Sequence, residues 1–184
     1  MKRILLRSLA FLLVLSAAML IFSSCRSINA EKKLEYVKSA FCAKISGRVD
    51  ENEVIATLYS NPDAQNDGVR ATLVFSHPKG LQGVTVTLCA NGEYGVRVGE
   101  SSVRADWAEG LLKPYFPIFS VGGVYSAQLL DDGTQKIRVC DENCDLIYVF
   151  DKDSNAPRNI QGVYFSKNID FVIEDFSFNY DFQK

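Results

Sequence analysis

Apolar and polar residues alternate with a period of two through most of this 184-residue chain. In residues 43–50, for example, Ala43, Ile45 and Val49 alternate with charged or hydroxyl-bearing side chains. Successive side chains of a β-strand point to opposite faces, so this period predicts strands with one buried face. About ten such stretches, separated by turn-forming residues, predict an antiparallel meander.

One amphipathic helix is expected before the strands, over residues 30–42. Leu34, Val37 and Phe41 recur there at helical spacing, which is typical of a helix with one buried face. Asn29 precedes them and has the side chain of a good N-cap, because its oxygen can accept from a free backbone N–H of the first turn.

A second, short helical segment is predicted in the middle of the chain. Residues 107–119 are crowded with large apolar side chains, and Pro114 and Pro117 prevent a long helix there. A sheet of many strands must bury one face, so we expect the helices to cover it. The sequence therefore predicts an α+β fold that is mainly antiparallel β.

The first 24 residues have the order of a secretory signal. Lys2, Arg3 and Arg7 give a positive start, residues 9–22 are almost entirely apolar, and small residues follow. This order is typical of a cleaved export signal. The apolar run is shorter than the about 20 residues that a membrane-spanning helix requires.

The end of this segment, Ser23-Ser24-Cys25, resembles the lipobox of bacterial lipoprotein signal peptides, with Phe22 where Leu is usual. The resemblance implies that the signal peptide 1–24 is removed, that Cys25 carries the lipid and that residues 25–30 form a tether. Two acyl chains are enough for stable membrane attachment. The alternative is an ordinary cleaved signal that leaves Cys25 as an unmodified thiol.

Residues 31–184 are enough for a single domain, and no Pro-, Gly- or Ser-rich linker divides them. Residues 25–184 hold 17 Lys and Arg against 22 Asp and Glu, a formal charge of −5. Because no run of Lys and Arg forms a basic footprint, nucleic acid is not an expected partner. We expect a monomer that is exported and held on a bacterial membrane, facing the periplasm or the cell surface, by lipid rather than charge.

Four further cysteines follow Cys25, namely Cys42, Cys89, Cys140 and Cys144. An even number in an exported chain is compatible with disulfides in three pairings. The short loop between Cys140 and Cys144 favours a bridge between these two, provided that their Cα atoms come within disulfide range. The alternative is that all four remain thiols and that Cys42 and Cys89 are small buried residues.

Catalytic motifs are absent from the sequence. The single histidine, His77, precedes Pro78, and no serine lies in a nucleophile motif. Residues 151–155 begin like a calcium loop, but Ala156 and Gly162 occupy the positions that require Gly and Glu. We therefore expect a protein that is not an enzyme and that uses no metal or cofactor.

Three stretches resemble the superfamily of LolA/LolB-type lipoprotein carriers. They are the strand and Pro-containing loop of residues 75–83, the turn and Pro-x-x-Ile passage of residues 151–160, and the last strand at residues 169–176. The order of helix, meander and mid-chain helical segment is also similar, and the likeness covers most of residues 31–178. It implies a curved half-barrel sheet, plugged by helices, whose hollow holds acyl chains.

This resemblance implies a membrane-anchored lipoprotein that binds or transfers a lipid, an acyl chain or a lipoprotein. The lipid anchor is similar to the membrane-bound receptor and mycobacterial lipid-binding branches of the superfamily. The alternative is a non-enzymatic interaction module of the cell envelope with a filled core. The predicted ligand lining consists of Leu34, Val37, Phe41, Trp107, Leu111, Tyr115, Phe116 and Phe119.

Overall fold

The computed structural model describes residues 29–119 and 123–178. The predicted signal peptide, Cys25 and the first part of the tether lie outside the described residues. In the part of the chain that is described, no helix is long and apolar enough to cross a membrane.

The described chain contains two short α-helices and eleven β-strands. The helices are α1, Ala30–Leu34, and α2, Glu109–Leu112; single 3-10 turns lie at Glu35–Lys38, Lys79–Leu81, Asp106–Ala108, Lys113–Tyr115 and Pro117–Phe119. The strands are β1 Phe41–Val49, β2 Asn52–Ser60, β3 Val69–His77, β4 Thr85–Cys89, β5 Tyr94–Val98, β6 Ser101–Arg104, β7 Val124–Leu129, β8 Gln135–Cys140, β9 Cys144–Phe150, β10 Pro157–Tyr164 and β11 Lys167–Phe178.

All eleven strands form one antiparallel sheet in the order β6-β5-β4-β3-β2-β1-β11-β10-β9-β8-β7. The first and last strands pair at its centre, and β6 and β7 form its two edges. The sheet is open and curved, which confirms the predicted fold class. The sequence did not predict strand β6, because its four residues are all exposed and show no buried face.

The N-terminal helix is shorter than predicted. Helix α1 ends at Leu34, one 3-10 turn follows, and Ser39 is already extended, with φ −111° and ψ 151°. The prediction that Phe41 belongs to a helix is wrong, because Phe41 begins β1 and pairs with Ser60 and Phe178. Pairing with strands distant in sequence overrides the local helical spacing. The predicted cap is confirmed, since Asn29 Oδ1 accepts from the Lys32 N–H at 3.0 Å.

Two glycines allow neighbouring strands to approach closely where the sheet coils. Gly47 in β1 has a φ of 157°, and an added Cβ would lie 1.9 Å from the Asp170 carbonyl oxygen. Gly162 in β10 has a φ of 138°, and its Cβ would lie 2.1 Å from the Asp145 carbonyl oxygen. Any side chain at either position would push two paired strands apart, so glycine is required for this coiling.

The core lies on the concave face of the sheet. The inward residues of the strands alternate with half-buried or exposed residues, as in the burial of alternate positions along β2, β3 and β9. The largest fully buried side chains are Tyr148, Phe41, Phe116, Phe150 and Phe171. Four of them come from strands, and Phe116 comes from the segment between β6 and β7, which therefore forms part of the core.

The structure does not form the bridge between Cys140 and Cys144; both side chains remain thiols, as do Cys42 and Cys89. Cys140 lies at an outward position of β8, whereas Cys144 is buried and lies on the inward face of β9 with Leu146. Because side chains alternate along a strand, the two sulfur atoms point to opposite faces of the sheet. The short loop alone could not reveal this difference in register.

The Gly47→Ala variant should be strongly destabilised, because a Cβ cannot fit 1.9 Å from a backbone oxygen. We expect a loss of at least about 2 kcal/mol in the free energy of unfolding, measured by denaturant titration. Gly80→Ala is the matched control, since its Cβ would meet nothing within 4 Å. Equal stability of the two variants would contradict the role given to Gly47.

Candidate functional site

The chain passes from one edge of the sheet to the other through residues 105–119, here called the crossing segment. It consists of short helical turns and lies against the concave face. Phe116 is buried, with its ring 6.0 Å from that of Tyr94 in β5. The Tyr115 ring meets that of Phe75 in β3 edge-on at 5.4 Å. The crossing segment therefore covers part of the concave face.

Two buried tyrosines hold the end of the crossing segment. The Tyr36 hydroxyl, from the turn after α1, donates to the Ile118 carbonyl oxygen at 2.7 Å. The Tyr148 hydroxyl, from β9, donates to the Pro117 carbonyl oxygen at the same distance. Burial raises the pKa of both tyrosines well above the usual range, so both hydroxyls keep the proton that they donate.

The space between the crossing segment and the sheet is nearly filled. A cavity of about 10 Å³ remains, which is at most enough for one water molecule. Small-molecule sites usually measure about 300–1,000 Å³, so an acyl chain does not fit while the crossing segment occupies this position. The cavity is lined by Ile45, Leu58, Tyr115, Pro117, Ile118, Ile160, Phe171 and Ile173.

The structure separates the predicted lining residues into two groups. Leu34, Val37, Phe41 and Phe116 are buried in the core, and Tyr115 borders the small cavity. Trp107 and Leu111 are instead exposed, at 81% and 64%. Only the backbone of Phe119 is described, in the last 3-10 turn of the crossing segment.

Four exposed apolar side chains come from consecutive elements of the chain between β5 and α2. They are Val98, Val103, Trp107 and Leu111. Tyr94, Val96 and Val98 occupy alternate positions of β5 and therefore point to the same, concave face. Val103 of β6 pairs with Val96, so its side chain lies on that face as well. The concave face is therefore left uncovered at this edge, where apolar groups meet solvent.

The two anchoring tyrosines were not among the residues predicted from the sequence. Tyr148 occupies an inward position of β9, between Leu146 and Phe150, where a hydroxyl needs a buried partner. The role of Tyr148 could therefore have been predicted from its inward position in the strand. The role of Tyr36 could not have been predicted, because its acceptor lies 82 residues away in the sequence. Within residues 29–119 and 123–178, no cluster of His, Cys, Asp or Glu could hold a metal ion.

Solved structures provide a comparison at the level of the fold. An uncharacterized conserved protein from Thermus thermophilus matches with a TM-score of 0.54 and 15% sequence identity, over 82% of this chain and 85% of that chain. The two proteins share a fold. At this identity the likeness carries no information about activity.

Two further structures match with TM-scores of 0.44. One is named as a putative outer membrane lipoprotein-sorting protein domain from Vibrio parahaemolyticus, with 12% identity over 85% of this chain and 96% of that chain. The other is a LolA superfamily protein from Nitrosomonas europaea, with 9% identity over 84% and 95% of the two chains. No protein-family model matches the chain, and no curated protein matches it.

Proposed function

We propose that this protein is a membrane-anchored lipoprotein that binds an acyl chain between the concave face and the crossing segment. The observation that supports this proposal is the way in which the crossing segment covers the concave face. An apolar face of eleven strands is covered by short turns, whose end is fixed by two hydroxyl–carbonyl hydrogen bonds. The cavity of about 10 Å³ then belongs to a closed form, and the ligand takes the place of the crossing segment.

The energies allow such an exchange. Each tyrosine hydrogen bond contributes roughly 1 kcal/mol, and burying Phe116 and Ile118 contributes about 1.5–3 kcal/mol each. Each methylene of a buried acyl chain contributes about 0.8 kcal/mol, so a chain of about 16 carbons gains on the order of 12 kcal/mol. For an acyl chain taken up from water, this gain exceeds the loss of these four contributions.

The sequence supports the same proposal independently of the fold. The resemblance of residues 75–83, 151–160 and 169–176 to the LolA/LolB-type carriers implies a ligand with acyl chains. The lipobox at Cys25 would hold the domain at the membrane, where such ligands reside. The formal charge of −5 in residues 25–184 leaves the lipid as the main source of attachment.

A second candidate function is that of an envelope interaction module with a permanently filled core. The filled interior favours it, as does the exposed apolar edge formed by Val98, Val103, Trp107 and Leu111. Large exposed apolar groups are typical of surfaces that bind another protein or a membrane. In this function the crossing segment never moves, and the exposed edge meets a protein partner.

The double variant Tyr36→Phe with Tyr148→Phe should take up acyl chains more readily, because the crossing segment loses two hydrogen bonds of roughly 1 kcal/mol each. The open population should then rise about 30-fold. The full chain in phosphatidylcholine nanodiscs is exposed to a diazirine fatty acid, and cross-links are mapped by mass spectrometry. We expect labelling of the concave face, at Leu58, Ile160 and Phe171, with more in the double variant.

Thr87→Val is the control for this experiment. It removes a side-chain hydrogen bond to a backbone carbonyl oxygen, from Thr87 Oγ1 to Gly95, outside the crossing segment and the cavity lining. Its labelling should therefore equal that of the wild type. A concave face that stays unlabelled in both the wild type and the double variant would overturn acyl binding at this site.

The Cys25→Ser variant should lose covalent lipid, because only a thiol at the lipobox position can be modified. Cells that express the full chain are fed an alkynyl palmitate analogue, and the label on the purified protein is measured. Cys42→Ser is the control and should keep its label, since Cys42 lies in β1. Label that persists in Cys25→Ser would contradict the anchor.

A photo-crosslinking amino acid at position 107 separates the two candidate functions in intact cells. Because Trp107 is 81% exposed, the substitution should leave the fold unchanged. Lipid adducts at position 107 are expected for the lipid-binding protein. A single discrete protein adduct, absent when the crosslinker is placed at the exposed Val163 of β10, would favour the interaction module.

A further inference from the structure

A second cleft lies outside the concave interior, where the N-terminal turn meets the edge of the sheet. It has a volume of about 750 Å³ and is open to solvent. Its walls come from α1 and the following turn, the β7–β8 turn, the β9–β10 loop and the end of β11. The lining includes Asn29, Lys32, Lys33, Lys152, Gln135 and Phe178.

The charge of this cleft is positive, although the chain as a whole is acidic. Lys32, Lys33 and Lys152 line it together with two carboxylates, Glu35 and Asp153. Glu35 is already neutralised by Lys38, whose Nζ lies 2.8 Å from its carboxylate oxygen. Lys32 and Lys152 form no ion pair with any described residue, so both ammonium groups are available to an anion.

The cleft is also amphipathic. Leu129 and Phe178 line it and are 39% and 38% exposed. Phe178 packs on Phe176 with ring centroids 4.9 Å apart, and Phe176 in turn packs against the core. An apolar wall beside ammonium groups suits a molecule with an anionic head and a hydrocarbon part.

A buried acceptor in the same cleft lacks a partner. The Gln135 amide nitrogen donates to the Lys152 carbonyl oxygen at 3.5 Å, whereas its amide oxygen is buried without a hydrogen-bond partner among the described residues. Buried polar atoms are normally satisfied, so a donor from a bound molecule would complete the bonding of this oxygen once the Gln135 side chain turns towards the cleft. A headgroup hydroxyl would provide such a donor.

We propose that this cleft binds the headgroup of an anionic phospholipid of the phosphatidylglycerol type. The phosphate pairs with Lys32 and Lys152, and a glycerol hydroxyl donates to Gln135. Asn29 lines the cleft four residues after Cys25, a span of at most ~14 Å when extended. The placement of the cleft near the membrane rests on the proposed lipid anchor at Cys25. The positive charge and the amphipathic walls of the cleft do not depend on that anchor.

The test uses the full chain in nanodiscs of phosphatidylcholine with increasing fractions of phosphatidylglycerol. Hydrogen exchange of the amides in residues 29–39 and 151–156 is followed by mass spectrometry. We expect exchange to slow as phosphatidylglycerol increases. In Lys32→Gln with Lys152→Gln, the apparent affinity for phosphatidylglycerol should fall about 30-fold, because each lysine near an anionic surface is worth about fivefold in affinity.

The matched control is Lys79→Gln with Lys136→Gln, which removes the same charge from two exposed lysines outside the cleft. It should respond to phosphatidylglycerol like the wild type. Equal weakening in both double variants would overturn the proposal in favour of general charge attraction. Protection by free glycerol phosphate alone, in phosphatidylcholine nanodiscs, would overturn it in favour of a soluble phosphate ligand.

The outcome is separable from that of acyl binding. Diazirine labelling of the concave face reports only on the interior, and the cleft lysines do not line that cavity. If the interior stays unlabelled while phosphatidylglycerol protects the cleft, acyl binding fails and the headgroup site stands. If the interior is labelled and the cleft shows no protection, the headgroup site is contradicted and acyl binding stands.

Discussion

The pairing of β1 with β11 is the interaction on which the rest of this structure depends. It joins the first and last strands of the described chain over a register that runs from Phe41 opposite Phe178 to Val49 opposite Ile169. The pairing continues past the end of β1, where the Asp50 N–H donates to the Asn168 carbonyl oxygen of β11 at 2.7 Å. Lys167 lies 2.7 Å from the Asp50 carboxylate and lowers its pKa, so the same corner also carries an ion pair.

This central pairing decides where the crossing segment must run. Each half of the sheet is a simple meander, so β6 and β7 end at opposite edges. The connection between them has to pass over one face, and the concave face is the apolar one. The residues that complete the core are therefore the same residues that would have to move for a ligand to enter. Under the proposed function, one element thus controls both stability and ligand access.

The two lipid sites that we propose use different physical interactions. The interior offers apolar area without charge, and its cover is held by the hydroxyls of Tyr36 and Tyr148. The outer cleft offers ammonium groups beside exposed Leu129 and Phe178. Tyr36 takes part in both, because its hydroxyl holds the crossing segment and the residue also lines the cleft. A lipid head and an acyl chain could thus be recognised on either side of the same turn.

Local sequence patterns were enough to predict much of the fold. The period of two predicted antiparallel strands with one buried face, and the Asn29 side chain marked the start of α1. These features depend on residues that are near in sequence. They can therefore be read before the tertiary structure is known. The resemblance of short stretches to a half-barrel superfamily added the expectation that the sheet is open and curved.

The sequence by itself thus determined most of the strands, the cap and the class of the sheet, because each follows from local geometry. Only the tertiary structure decided where α1 ends, since Phe41 gains more from pairing with β2 and β11 than from extending a helix. It likewise placed Trp107 in solvent and brought Tyr36 to a carbonyl group 82 residues away. Such contacts depend on chain closure between distant residues, and no local pattern encodes them.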